Sequence, residues 1–124
     1  MHISKNSIIF ATKLQNMAKF KFKGTTTEEV EEELEKLCAM NVTEIPLSHI
    51  IKVVKAIEVE HIVGQATGSL VRFRHPDART YGNYFGVHKI HKGGDEELVA
   101  KVNFKKYMMP FLKDIIAKRK QNGI

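Results

Sequence analysis

Residues 69–74 read Ser-Leu-Val-Arg-Phe-Arg, with Val71 and Phe73 on one parity and Leu70, Arg72 and Arg74 on the other. Successive side chains of a strand point to opposite faces, so this alternation requires a half-buried β-strand, apolar inside and basic outside. Such a strand must find partners for its backbone groups. Residues 58–63 alternate in the same way, and Gly64-Gln65-Ala66-Thr67-Gly68 can close a hairpin between the two. Pro76-Asp77 and Gly82-Asn83 bound the next connection, after which Tyr84 to His88 supplies a third strand. Phe85 and Val87 turn inward there, and Tyr84, Gly86 and His88 turn outward. The pattern predicts a small antiparallel sheet whose outer face carries Arg72, Arg74, Tyr84 and His88.

Helical patterns flank these strands. Thr25 and Thr26 each stand three residues before a glutamate, the spacing at which hydroxyl and carboxylate satisfy each other's free backbone amides. Val30, Leu34, Leu37 and Cys38 follow at helical spacing, which predicts a helix over about 26–40 with its glutamates outward. Residues 41–45 read as a break. Pro46 can open a second helix, because its missing amide is unpaired at a first turn anyway. Its stripe is Leu47, Ile50, Ile51, Val54 and Ile57, opposite His49, Lys52 and Lys55. Residues 98–104 suit either a short strand or an irregular approach to a final helix over about 104–119, capped by Asn103. Phe104, Met108, Phe111, Leu112, Ile115 and Ile116 form its apolar side. Pro110 either sits in that helix at a cost of about 3 kcal/mol or marks its true start.

With 124 residues the chain fits one α+β domain over 25–124, preceded by a flexible extension over 1–24. Its formal charge is +6, and six of its 14 acidic residues lie between Glu28 and Glu35, leaving 20 basic residues against 8 elsewhere. A basic body with an acidic helix attached favours a polyanionic partner. The acidic helix is either a solvated face or a cover that imitates a polyanion over the basic sheet. No apolar run reaches the roughly 20 residues that span a bilayer, so no membrane role is expected. Cys38 is the single cysteine, which excludes an internal disulfide and a multi-cysteine zinc site. A small buried hydrophobe describes it better than a reactive thiol, and a cytoplasmic setting fits.

The order helix, three strands, helix, with Gly68-Ser69, Arg72-Phe73, His75-Pro76-Asp77 and Val87-His88 in sequence, resembles HicA-type toxins over about residues 46–119. The resemblance implies a double-stranded-RNA-binding-like α-β-β-β-α fold with an additional N-terminal helix. It further implies a small ribonuclease acting on mRNA, and a HicB-like antitoxin as protein partner. In that family the Gly-Ser pair usually precedes a catalytic histidine, where this chain has Leu70. A divergent branch carries a His-Lys-x-His segment similar to His88-Lys89-Ile90-His91.

Metal-free RNA cleavage needs a base for the ribose 2′-hydroxyl and an acid for the departing 5′-oxygen, and histidine suits both near neutral pH. Leucine does neither, so altered catalysis points to His88 first and His91, in a glycine-containing loop, second. Otherwise His88 is an exposed phosphate ligand. Arg72 and Arg74 either clamp a phosphate or lie on a solvated strand face. Lys89, Lys92, Lys105 and Lys106 extend a backbone-binding track, and Tyr84 either stacks on a base or packs on the sheet. His75, ahead of Pro76, is structural or solvent-facing. No cofactor fingerprint is present, and no metal is expected. The alternative to an RNA-binding toxin relative is a non-catalytic nucleic-acid or protein-interaction module, in which Leu70 packs under a partner.

Overall fold

The computed structural model describes residues 20–63, 69–79, 82–91 and 96–124, without the side chain of His91. The fold is mixed α+β: three helices pack on one side of a five-stranded antiparallel sheet. Helix α1 (Thr27–Ala39) starts at the anticipated place. Thr26 Oγ1 accepts from the Glu29 amide at 3.1 Å, and the Glu29 carboxylate accepts in return from the Thr26 amide at 3.2 Å. Strand β1 (Glu44–Pro46) then leads into α2 (Leu47–Lys55), with Pro46 as its N-cap. The sheet continues through β2 (Glu60–Ile62), β3 (Leu70–Arg74), β4 (Tyr84–His91) and β5 (Glu97–Ala100).

The strand order is β1-β5-β4-β3-β2. Three of the strands form the expected meander, while β5 and β1 extend the sheet beyond it. Residues 41–45, read as a break, thus contain most of a strand, because Ile45 pairs with Val99 far along the chain. The strand expected over 58–63 starts late. Glu58 adopts a φ of 65°, a left-handed turn that an extended strand cannot include, and pairing begins at Glu60.

The last helix departs from regularity around Pro110. A short α-helical turn, Lys101–Asn103, runs into a π-helical stretch, Phe104–Met108, before α3 (Met109–Gln121). Pro110 has no amide to donate, and it lies in the first turn of α3, where that donor is not required. The helical backbone is nevertheless continuous from Lys101 to Gln121, so Pro110 sits inside the run, and the irregularity falls on Phe104–Met108 before it. Asn103 is itself helical and makes no capping bond.

Val71, Phe73, Phe85, Val87 and Val99 on the inner sheet face meet Phe111, Leu112 and Ile115, and Phe85 stacks on Phe111 at 5.5 Å. Phe22 joins this core, and Phe20 packs edge-on against His49. Both lie in the stretch expected to be a flexible extension; residues 1–19 fall outside the described residues. Two polar residues expected on outer helix faces are buried instead. Glu33 on α1 and His49 on α2 meet across the helices at 2.9 Å, so each offsets the other's desolvation.

Candidate functional site

The register of β3 against β4 builds the outer face. Leu70 lies opposite His88, Arg72 opposite Gly86 and Arg74 opposite Tyr84, all on the side away from the helices. This follows from the period-2 alternation: with Val71, Phe73, Phe85 and Val87 committed to the core, the residues between them must emerge on the other side. Arg74, Tyr84, Gly86 and His88 are exposed, and Leu70 and Arg72 are half-buried. Ser69 Oγ lies 2.9 Å from His88 Nδ1, which fixes the imidazole by one nitrogen and leaves Nε2 for other chemistry.

The basic side chains of this face differ in availability. Arg74 is tied into an ion pair with Glu60, its neighbour across β2, and bonded to Tyr84. Those two contacts, Tyr84 first, raise the Arg74 guanidinium above its ordinary value. Lys89, expected to extend the basic track of this face, has the parity of Phe85 and Val87 and lies opposite the buried Val99. It therefore falls on the helix-facing side, where it pairs with Glu97 of β5. Arg72 is different: its Nε and Nη2 are shielded from solvent and have no hydrogen-bond partner among the described residues. These two nitrogens form the side-on fork of a guanidinium, the face that grips a planar acceptor with two bonds. Leaving two such donors unmade costs about 1–3 kcal/mol each, and because protein atoms cover both of them, an acceptor reaches this fork only if the Arg72 side chain or its cover moves.

A groove of about 400 Å³ opens beside that fork, lined by Leu70, Arg72, Tyr84, Phe85, Gly86 and Tyr107. Gly86 forms part of its floor, and a Cβ there would stand 3.1 Å from Leu70 Cδ1. Tyr107 comes from the π-helical stretch and is 42% exposed, with Lys106 Nζ 5.2 Å from its ring centre. Sequence reasoning missed Tyr107 and Ser69 as site residues. Tyr107 stands between the buried Phe104 and Met108 in a helical pattern, which reads as an ordinary solvated position. Only the packing of the π-helical stretch against β4 brings it to the groove.

His91 ends β4 opposite Glu97, within a strand rather than a loop; its side chain and Lys92 lie outside the described residues. His75 is buried, with Nδ1 accepting from the Asp77 amide at 3.0 Å, and is structural. Cys38 packs half-buried against the core, and burial pushes its thiol up, which suppresses thiolate chemistry. The acidic helix does not cover the basic sheet. It packs on α2 and α3, with Glu31 bonded to Lys120 at 2.6 Å, and so lies in the helical layer. Among the described residues no cluster of three His, Cys, Asp or Glu side chains could hold a metal ion, and no helix is long and apolar enough to cross a membrane. Comparison with protein-family models, curated proteins and solved structures finds no match to this chain.

Proposed function

We propose that this chain binds RNA through the outer face of β3 and β4, as a HicA-like toxin or a relative of such toxins. The observation that carries the reading is the Arg72 fork, without a partner, on the same strand face as the Ser69-held His88. A phosphate supplies the acceptors this fork lacks once its cover moves aside, and a chain of formal charge +6 attracts a polyanion. The order α2, β2, β3, β4, α3 supports a double-stranded-RNA-binding-like core, to which α1, β1 and β5 are additions. A HicB-like antitoxin encoded in an adjacent reading frame is the partner this reading calls for, and a cytoplasmic setting suits an mRNA substrate.

In the catalytic form of the proposal, His88 Nε2 takes the proton from the ribose 2′-hydroxyl. The oxygen then attacks the adjacent phosphorus, the bond to the 5′-oxygen breaks, and that oxygen takes a proton from solvent. Arg72 stabilises the charge gathering on the phosphate. Leu70, opposite His88, favours the second reading, a non-catalytic binding module on the same face.

Incubating the protein with labelled RNA in EDTA separates the two. Cleavage that disappears in His88→Ala supports the catalytic form; binding without cleavage supports the module. Binding is expected to weaken with salt, and Arg72→Ala to reduce the salt slope by about one counterion. Arg74→Ala should do less, because Glu60 already neutralises that guanidinium. Affinity that ignores both salt and Arg72→Ala would refute the RNA-binding face.

A further inference from the structure

We infer that the groove over Gly86 receives one unstacked nucleobase of a single-stranded RNA, an inference that rests on the RNA-binding reading and specifies its substrate. Four features of the groove match that occupant. Its volume, about 400 Å³, is that of a small-ligand site and too small for a helical element. Tyr84 and Tyr107 both line it, so it offers the aromatic faces on which bases stack. Gly86 contributes backbone without a side chain to the lining, where a Cβ would crowd Leu70.

The fourth feature supplies polarity. Arg72 is part of the groove wall, so its charge borders the occupant, while its Nε and Nη2 are covered by protein atoms. A base carbonyl or the phosphate next to it is drawn to that charge. Lys106, at 5.2 Å from the Tyr107 ring centre, sets a cation where the strand backbone would pass. Charge and shape thus favour a nucleotide over an apolar side chain of a protein. In a duplex the bases are stacked and paired, and none is free to enter, so the groove selects single strands.

The test uses the full chain and two oligonucleotides of equal length: a single-stranded RNA of mixed sequence and its counterpart lacking bases. The chain has three tyrosines and no tryptophan, so tyrosine emission reports stacking directly. The base-bearing strand should quench that emission and bind about tenfold more tightly than the abasic one, the size of one base–aromatic stack. Tyr107→Ala should remove about that factor for the base-bearing strand and change abasic binding little. Tyr107→Phe should restore it, and Tyr107→Leu, which keeps bulk without an aromatic face, should not. Circular dichroism checks that each variant remains folded. Equal affinity for both oligonucleotides, or an unchanged affinity in Tyr107→Ala and Tyr107→Leu, overturns the base pocket while leaving a backbone-binding face in place. That result would turn the groove over to a protein side chain. Failure of both oligonucleotides to bind overturns the pocket and the RNA reading together.

Discussion

His75 shows how a single side chain sets a pH limit on this fold. Its Nδ1 accepts from the Asp77 amide and its ring bonds the Ile57 carbonyl, which together define a neutral tautomer. Burial is the largest influence and pushes the imidazole below its ordinary 6.5, against the opposing pull of Asp77 and Glu58. As pH falls, the unfolded chain therefore takes up the proton first. Stability from this site is complete above the unfolded value and is lost as pH drops through the lowered folded one. Urea midpoints should decline below about pH 6.5 more steeply in the wild type than in His75→Asn. Equal slopes would assign the acid sensitivity elsewhere. Leu70 offers a second test at this scale. It emerges opposite His88 and away from the core, so Leu70→His should preserve folding and add an imidazole beside Arg72. We expect RNA cleavage to increase, with a pH dependence centred at roughly 6–7. No gain despite intact RNA binding would count against a merely missing histidine. Residue by residue, the outer face was legible because strand alternation needs only neighbours in sequence. The burial of Glu33 and His49 was not, since each is tolerated inside only because the other, 16 residues away, bonds to it.

Among the elements, α1 was the most legible, because its start signal is local. Thr26 and Glu29 close their reciprocal bonds within one turn, and the Thr26 hydroxyl is the first cause that lowers the Glu29 carboxyl. Thr26→Ala should destabilise the fold by about 1 kcal/mol, read as a shift in urea midpoint. No shift would mean that tertiary packing alone holds that end of the helix. Strand β1 lay beyond sequence reading, and β5 was legible only as one of two alternatives over 98–104, for the opposite reason. Each is three or four residues long, too short for a periodic signal, and their pairing of Ile45 with Val99 is set by the whole fold. The π-helical stretch before Pro110 was half legible: the proline signals an irregularity near residues 104–109, but nothing local says that these residues stay helical with a wider turn.

For the whole molecule, the acidic α1 is offset within its own layer. It packs on α2 and on α3, whose Lys118, Arg119 and Lys120 lie nearby and of which Lys120 bonds Glu31, while the strands present Arg72, Arg74 and His88 on the other side. Holding that arrangement together depends on residues near both ends of the described chain. Phe22 is buried against the core, and Arg119 on α3 bonds Thr27 Oγ1 at 2.9 Å and pairs with Glu58 at 3.5 Å. Phe22→Ala should lower unfolding free energy by about 2 kcal/mol, measurable by urea denaturation, although the residue stands before the first helix. An unchanged value would return residues 20–24 to the status of an appendage. The pairing of β1 with β5 carries one more consequence, for the moment of synthesis. Residues 44–46 leave the ribosome long before residues 98–100, their partners, and α1 waits still longer for α3. At about 5–20 residues per second, the early part of the chain spends seconds with its apolar stripe uncovered. Nascent chains stalled before β5 should therefore be digested by protease along their exposed length, and protection should arrive only once α3 has emerged.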